Sequence, residues 1–361
     1  MNILILTGRF NMGHNSAAHS LRQELTGSWP GARVEVVDFL GRAIPGLDSA
    51  VYKLFQLFVT HARGLYNAWY RLTEPETDQF PVHARPLLGA MEKLLQEERP
   101  DVVIATHPLC AQLVSRCKER GSYGGALITC VTDVTGHGEW LCRGCDGYLV
   151  GAPAVRDAFV ERGVDPERIA VTGIPVRSEF KAARPRPADG TRRLLIMGGC
   201  LGLMPRDDDF YRAVNDLQGV KTTLITGNNR KLFDRLVGRY PNILVLGYTR
   251  SVWDYMGQSD LVLSKPGGAT TFEAIFSATP MLAWEPFWEQ ERRNAAFLVG
   301  EGIGRIAGRG SGACLAALQE LLNDPAALAD MGERMKALRA QLAQRGLEEL
   351  MEKCVGERER V

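Results

Sequence analysis

A histidine stands shortly after the first apolar run of the chain. Residues 3–6 read as a buried strand, and Gly13-His14-Asn15 follows at the start of a helical pattern. Parallel α/β sheets bind ligands at the carboxyl ends of their strands, so an imidazole here is well placed for chemistry. With a pKa near neutrality, it could take a proton from an acceptor hydroxyl. The position also suits a histidine that caps or packs the loop, and the residues alone leave both roles open.

Two glycine-rich turns follow apolar runs in the second half. The run 194–197 leads into a turn that contains Gly198, Gly199 and Gly202. The run 261–263 leads into Lys265-Pro266-Gly267-Gly268, with Thr270 just beyond in a helical pattern. Glycines expose backbone N–H groups, and a helix N-terminus adds unpaired N–H groups and a positive dipole end. Two such turns in one domain predict a nucleoside diphosphate that is held without a metal.

Side chains that could bind a ribose and a sugar follow the second turn. Glu273 could accept hydrogen bonds from two ribose hydroxyls, or it could be a capping-box carboxylate three residues after Thr270. The loop 284–294 follows another apolar run and combines two tryptophans with polar groups. Its polar members include Gln290, Glu291 and Asn294. Carboxylate and amide groups satisfy paired sugar hydroxyls with directional hydrogen bonds, so the loop indicates sugar recognition.

Apolar runs alternate with helical patterns on both sides of a proline-rich segment, 181–190, which is typical of a linker. The runs before it are 3–6, 34–37, 102–105, 126–130 and 148–150, and those after it are 194–197, 222–226, 243–246, 261–263 and 281–283. This alternation predicts two α/β domains, each with a doubly wound parallel sheet, and a cleft between them. The first loop lacks the GxGxxG glycines of a dinucleotide site, which argues against a nicotinamide enzyme.

Composition is typical of a soluble globular protein. The 361 residues are 45% hydrophobic and 24% charged, which excludes a disordered chain and a polytopic membrane protein. The formal net charge is +1 and no basic arm stands out, so we expect no nucleic-acid partner. The cysteines read as reduced thiols, and Cys142-Arg143-Gly144-Cys145 has no second close pair to complete a zinc site. Because the first residues read as a strand and not as a signal peptide, we expect a cytoplasmic protein.

The region 51–72 has apolar residues three or four apart, interleaved with basic ones. This spacing predicts an amphipathic helix or helix pair. Charges interrupt the region too often for a membrane-spanning helix, whereas aromatic residues opposite basic ones suit a helix that lies in a bilayer interface. A helix or helix pair docked on its own core also explains the pattern, and the residues alone favour that alternative.

Taken in order, these motifs resemble those of the GT-B glycosyltransferases of the monogalactosyldiacylglycerol synthase and processive diacylglycerol glucosyltransferase group, relatives of the peptidoglycan GlcNAc transferase. The resemblance covers nearly the whole chain. The motifs that carry it are Gly13-His14 with Ala17-Ala18, Val131-Thr132-Asp133 with His137 and Trp140, Gly173-Ile174-Pro175-Val176-Arg177, the turn 197–202, Lys265-Pro266-Gly267-Gly268, and Gln290-Glu291 with Asn294-Ala295.

The resemblance implies a GT-B fold, with two facing Rossmann-like domains and an interdomain cleft. Residues 1–180 would form an acceptor and membrane-facing domain, 181–190 the linker and 191–337 the UDP-sugar-binding domain. Residues 338–361 would form a C-terminal helix that crosses back to the first domain.

The resemblance also implies a reaction, which is an inverting transfer of glucose or galactose from UDP-glucose or UDP-galactose to the free hydroxyl of diacylglycerol or a related lipid. No metal or other cofactor is expected. His14 matches the family's proposed base, and Asp133 and His137 match a motif that either orients the acceptor or stabilises a loop. Glu273 matches the ribose-binding carboxylate, and Tyr248 should border uracil. Gln290 and Glu291 fall where sugar contacts are expected, but Trp288-Glu289 depart from many relatives and leave the hexose open.

The resemblance favours the interfacial helix, because relatives use this region to reach a lipid acceptor. We therefore expect peripheral association with the anionic inner face of the cell membrane. The expected acceptor or membrane contacts are Phe55, Phe58, Tyr66, Trp69 and Trp140. Three alternatives stay open: a polyprenyl-linked or small hydrophobic acceptor, a UDP-GlcNAc 2-epimerase-like enzyme, and a nucleotide-sugar sensor without turnover.

Overall fold

The structure is a computed structural model that describes residues 1–10, 12–74, 84–182, 189–199, 204–205 and 207–356. The chain divides into two compact units. The first unit comprises Met1–Ser178 together with the chain from Leu342 onward, and the second comprises Glu179–Gln341.

In the described residues of the first unit, six parallel strands form one sheet in the order β2-β1-β3-β4-β5-β6. They are β1 (Asn2–Thr7), β2 (Arg33–Asp38), β3 (Val102–Ala105), β4 (Ala126–Cys130), β5 (Gly147–Val150) and β6 (Ile169–Val171). The central strands β3 and β4 are buried along their whole length, as is β1 after its first residue. Continuous apolar runs of this kind are typical of parallel strands covered on both faces.

Helices flank this sheet. They are α1 (Met12–Ser28), α2 (Phe39–Ala43), α3 (Asp48–His61), α4 (Arg63–Thr73), α5 (Arg85–Glu98), α6 (Pro108–Glu119) and α7 (Pro153–Glu161). The short α8 (Ser178–Lys181) begins with the last residue of this stretch of the first unit and continues into the second. The chain returns to this unit with α16 (Gly346–Gly356). Leu347, Leu350 and Met351 of α16 join the core that contains Ile3 and Ile5 of β1.

In the described residues of the second unit, six parallel strands form a sheet in the order β12-β11-β10-β7-β8-β9. They are β7 (Arg192–Met197), β8 (Val220–Ile225), β9 (Ile243–Leu246), β10 (Leu261–Ser264), β11 (Met281–Ala283) and β12 (Gly304–Ile306). The helices are α9 (Asp208–Asn215), α10 (Arg230–Leu236), α11 (Val252–Gly257), α12 (Gly268–Ser277), α13 (Glu289–Gly300), α14 (Gly310–Leu322) and α15 (Pro325–Ala340).

The prediction of two doubly wound α/β domains is confirmed. Each of the ten apolar runs overlaps a strand, whereas β6 and β12 were not predicted. Both are three residues long and lie at sheet edges, where a strand needs little apolar sequence.

The predicted limits of the C-terminal segment need a correction. A boundary at 337/338 falls inside α15, which continues to Ala340, and the chain joins the first unit from Leu342. Most of the predicted linker, residues 183–188, lies outside the described residues. Among the helices of the described ranges, none has the length and apolar composition that crossing a bilayer requires.

Candidate active site

The first sheet reverses its winding between β1 and β3. The chain passes from β1 to β2 on one side, and β3 then pairs with β1 on the other. Ligands of open α/β sheets bind outside the carboxyl ends of the strands at such a point. His14 lies just beyond β1 on the first turn of α1, and Thr106 and His107 directly follow β3. The topology therefore brings two histidines to one place.

His14 is buried, with 8% of its surface exposed, and its Nδ1 atom has two oxygen neighbours. The backbone carbonyl of Thr106 lies 2.9 Å from Nδ1, and Oγ1 of Thr132 lies 2.8 Å from it. Because a carbonyl oxygen only accepts, the proton of the neutral ring is assigned to Nδ1. Burial lowers the pKa of His14 to about 4, against a smaller opposing effect of the Thr106 carbonyl. The imidazole is therefore neutral near pH 7, with a proton-accepting lone pair on Nε2.

His107 is a site residue that the sequence analysis missed. Its ring centre lies 4.7 Å from that of His14, in an edge-to-face arrangement. Its other face stacks on Phe10, with ring centres 4.8 Å apart. The same carboxyl-end rule that selected His14 would have selected His107, because it comes two residues after the buried strand β3.

The loop after β4 supplies a third group of residues. Thr132 bonds to His14, and the ring of Trp140 lies 6.1 Å from the His14 ring, centre to centre. Trp140 is fully buried, so of its two predicted roles membrane contact is wrong, and acceptor contact stays a prediction.

His137 is also fully buried, and both of its ring nitrogens are bonded to the backbone. Nε2 lies 2.8 Å from the carbonyl of Tyr70, and Nδ1 accepts a hydrogen bond of 3.1 Å from the amide of Glu139. An imidazole bonded in this way has no nitrogen left to take a proton from a substrate. Of the two predicted roles, the geometry favours loop stabilisation over acceptor orientation.

Asp133 is buried, and its charge acts on two nearby groups. Burial and then the charge of Asp133 raise the pKa of Glu139 to about 8. Burial, followed by the charges of Asp133 and Glu139, also raises the pKa of Tyr70. These groups form a cluster of α4 and the loop after β4, in which Asp133 and Tyr70 are buried and Glu139 is half-buried. Sequence patterns gave no reason to select Glu139. Its pKa is raised mainly by burial, and burial depends on the folded structure.

Helices α3 and α4 confirm the predicted helix pair and expose apolar side chains. Within α3, Asp48 is the one buried residue. The exposed apolar residues of the pair are Val51, Leu54, Leu57, Phe58, Leu65, Trp69 and Leu72, and we call them the α3–α4 surface. Phe58 and Trp69 are therefore exposed on the helix pair, and their contact with an acceptor or a membrane stays a prediction. Phe55 is half-buried and contacts Phe10, and Tyr66 is buried beside Tyr70, so neither belongs to this surface.

Basic residues are interspersed with the α3–α4 surface. Lys53, Arg63 and Arg71 are exposed, and the sequence 49–73 contains no Asp or Glu. Two ion-paired contacts attach α3 to the sheet, because Arg9 pairs with both Asp38 and Asp48.

The second sheet also reverses its winding, between β7 and β10. Gly198 and Gly199 follow β7, and Lys265 follows β10; the last residues of these strands, Met197 and Ser264, are paired in register. Gly199 has φ +66°, which favours glycine. The two turns therefore lie side by side at the carboxyl edge, as the diphosphate prediction requires. Gly202 lies outside the described residues.

Helix α12 begins directly after the second turn. Gly267 is its N-cap, so Gly268 and Thr270 lie in its first turn, where N–H groups lack intrahelical partners. Glu273 is the sixth residue of the helix. The capping-box alternative for Glu273 is wrong, because the box requires the third helical residue.

The predicted sugar-binding residues lie at the start of α13, which follows β11 at the same edge. Gln290 and Asn294 are four residues apart and share one helix face. Glu291 contacts the protein with both oxygens: Oε1 lies 3.2 Å from Nζ of Lys265, and Oε2 accepts a hydrogen bond of 3.1 Å from the Phe287 amide. Glu291 is therefore placed to orient Lys265. Tyr248 follows β9, and its side chain is exposed.

All seven described cysteines are buried free thiols. Over the described ranges, no group of three or more His, Cys, Asp or Glu side chains is arranged to hold a metal ion.

Comparisons with known proteins agree with this architecture. Residues 14–176 match the family model for monogalactosyldiacylglycerol (MGDG) synthase. A processive diacylglycerol beta-glucosyltransferase of Staphylococcus carnosus is 28% identical over 353 residues, which cover 94% of this chain and 89% of the relative.

Two solved structures share the fold. The glycotransferase of kitacinnamycin superposes with a TM-score of 0.66 at 19% identity, covering 98% of this chain and 99% of that chain. UDP-GlcNAc 2-epimerase from Neisseria meningitidis, bound to UDP-GlcNAc, superposes with a TM-score of 0.58 at 13% identity, covering 93% of this chain and 98% of that chain. The predicted resemblance is confirmed: the chain is similar to the monogalactosyldiacylglycerol synthase and processive diacylglycerol glucosyltransferase group, and it has the fold of the GT-B glycosyltransferases.

Proposed function

We propose that the protein is an inverting UDP-sugar hexosyltransferase whose acceptor is the free hydroxyl of diacylglycerol. The acceptor oxygen attacks the anomeric carbon, its proton passes to His14, and the bond from that carbon to the β-phosphate oxygen breaks to release UDP. The single observation that carries the proposal is the state of His14, which is neutral with its Nδ1 proton directed at the Thr106 carbonyl. A base in this form has Nε2 available for the acceptor proton.

The second unit offers a donor site that needs no metal ion. The N–H groups of the first turn of α12 and the Gly198-Gly199 turn would accept the diphosphate, and Lys265 would add a positive charge. Glu273 would bind the ribose, and Gln290 and Asn294 the hexose. The name of the Staphylococcus relative favours glucose over galactose. Because no metal is required, excess EDTA should leave the rate unchanged.

The α3–α4 surface suggests where the lipid comes from. It combines exposed apolar side chains with basic residues and contains no acidic residue, a composition that suits an anionic bilayer interface. The diacylglycerol acceptor resides in such a bilayer. Peripheral association with the inner face of the cell membrane follows from these two points.

The test is product analysis. Vesicles that contain diacylglycerol and anionic lipid are incubated separately with UDP-glucose, UDP-galactose and UDP-GlcNAc, and the lipids are analysed by mass spectrometry and by NMR of the anomeric proton. We expect a hexosyl-diacylglycerol of inverted configuration. An epimerised nucleotide sugar formed without any lipid would support the epimerase alternative instead, and UDP-sugar binding without UDP release would support a sensor.

A further inference from the structure

We propose that His107 is a positioning residue that shields His14 from water and thereby keeps it in the neutral, proton-accepting form. This inference rests on the proposed function only for its consequence in catalysis. The shielding of His14 by His107 involves two side chains of the first unit and can be tested without a substrate.

The geometry fixes His107 from three directions. Its Nδ1 atom accepts a hydrogen bond of 3.2 Å from the amide of Leu109, so His107 is the N-cap of α6. Phe10 stacks on one face of the ring, and His14 meets the ring edge-to-face. Phe10 is held in turn by Tyr52 and Phe55 of α3, with ring centres 4.9 and 5.0 Å away. His107 is therefore a rigid wall on one side of His14.

The two histidines carry their protons on opposite nitrogens. Nδ1 of His107 accepts the Leu109 amide, so the His107 proton is on Nε2. Nδ1 of His14 donates to the Thr106 carbonyl, so its lone pair is on Nε2. Thr106 and His107 are consecutive residues at the end of β3. One short segment thus selects the tautomer of His14 and covers its ring.

The groups around His14 explain why its pKa is low. Thr106 presents a carbonyl, Thr132 a hydroxyl, Trp140 an indole and His107 an imidazole, and none of these is an anion near pH 7. The nearby carboxyl groups are Asp133 and Glu139, and the charge of Asp133 acts on Glu139 and Tyr70. His107 itself has a pKa well below its usual range, because of burial and then the charge that His14 would carry. Shielding by neutral groups is therefore what disfavours the imidazolium form of His14.

Two substitutions separate the two roles of His107, which are to cover the His14 ring and to cap the N-terminus of α6. His107→Asn keeps an N-cap acceptor for the Leu109 amide, since asparagine is a preferred N-cap residue, but it removes the ring that covers His14. Phe10→Leu leaves the cap in place and removes the aromatic support behind His107. His107→Ala loses both the ring and the cap, so its melting temperature should fall below that of His107→Asn.

The experiment is an NMR titration of histidine ring signals in the full-length protein, with His14→Gln used to assign the His14 signal. In the wild type, His14 should titrate near pH 4. In His107→Asn it should titrate at least one pH unit higher, and Phe10→Leu should shift it in the same direction by less. An unchanged His14 titration in a folded His107→Asn protein overturns the proposal.

The pH dependence of kcat/KM then tests whether shielding of His14 by His107 affects turnover. If transfer to diacylglycerol is observed, the acid limb of kcat/KM in His107→Asn should move upward with the NMR value, and a shift in the NMR titration without a shift in the acid limb would overturn the catalytic part. If no lipid acceptor is used, the proposed function fails while the NMR result still decides the role of His107.

Discussion

Lys265 lies against the face of Trp288, with its Nζ atom 4.0 Å from the ring centre and 3.2 Å from Oε1 of Glu291. Lys265 follows β10 in the chain and precedes the first turn of α12. The protein thus holds a partly buried cation beside the turn that we propose binds the diphosphate, with an aromatic face and a carboxylate fixing its position.

Lys265→Met should weaken UDP binding by about 10- to 100-fold, because a charge-assisted hydrogen bond contributes roughly 1.5–3 kcal/mol. Isothermal titration calorimetry with UDP measures the effect directly. Lys231→Met, which removes an exposed lysine of α10, is the matched control and should bind UDP like the wild type. Equal affinities for the two variants would remove Lys265 from the donor site.

Thr132→Val tests the second contact of His14. Valine keeps the volume of threonine but removes the hydroxyl that lies 2.8 Å from Nδ1. Because the Thr106 carbonyl still selects the tautomer, we expect only a modest fall in kcat, about three- to tenfold, which is the size of one neutral hydrogen bond. Thr222→Val is a suitable control, since Thr222 is buried in the second unit and its hydroxyl has no partner among the described residues. A loss as large as that of His14→Ala would show that the hydroxyl, and not the carbonyl, orients the ring.

Glu139→Gln should change how stability depends on pH. The folded protein raises the pKa of Glu139 to about 8, above the value of about 4.5 in an unfolded chain. This carboxyl group therefore binds its proton more tightly in the folded state, and the stability that it confers is lost as pH rises from about 4.5 to about 8. The melting temperature of the wild type relative to Glu139→Gln should fall between pH 5 and pH 9. The exposed Glu301→Gln should show no such trend, and parallel pH profiles for all three proteins would contradict the assignment.

Leu54→Ala tests the membrane contact. Leu54 is 69% exposed on the α3–α4 surface, and each buried CH₂ group that a bilayer interface covers contributes about 0.8 kcal/mol. Flotation with anionic vesicles should show several-fold weaker binding, and added salt should weaken binding of the wild type as well. Leu244→Ala, at another exposed leucine on β9, should float like the wild type. Equal flotation of both variants would place the membrane contact elsewhere.

A substitution at Phe55 distinguishes the membrane contact from the aromatic contacts that hold His107 beside His14. It lies beside Leu54 in the sequence but is half-buried against Phe10, which stacks on His107. Phe55→Ala should therefore move the acid limb of the kcat pH profile upward at saturating vesicle concentration, whereas Leu54→Ala should show the wild-type profile there. If both variants show the wild-type profile, the contact between α3 and Phe10 has no part in turnover.

The sequence was sufficient to predict the two sheets and the loops at their winding reversals. His14, the glycine turns and the start of α13 were found because buried strands end just before them, and that signal is local. Thr106 and His107 satisfy the same rule and directly precede α6, but no glycine marks their turn, so they were overlooked. The roles of His137, Glu139 and Trp140 could not be predicted, because burial and hydrogen-bond partners come from segments distant in sequence. For His137, one such partner is the carbonyl of Tyr70 on α4.

The most direct test of the account compares initial rates of hexosyl-diacylglycerol formation by the wild type and His14→Ala, with UDP affinity measured in parallel. General-base catalysis contributes about 10²- to 10⁴-fold, so the rate should fall by that factor while UDP binding is unchanged. A His14→Ala rate within a few-fold of the wild type would contradict the assignment of His14 as the base.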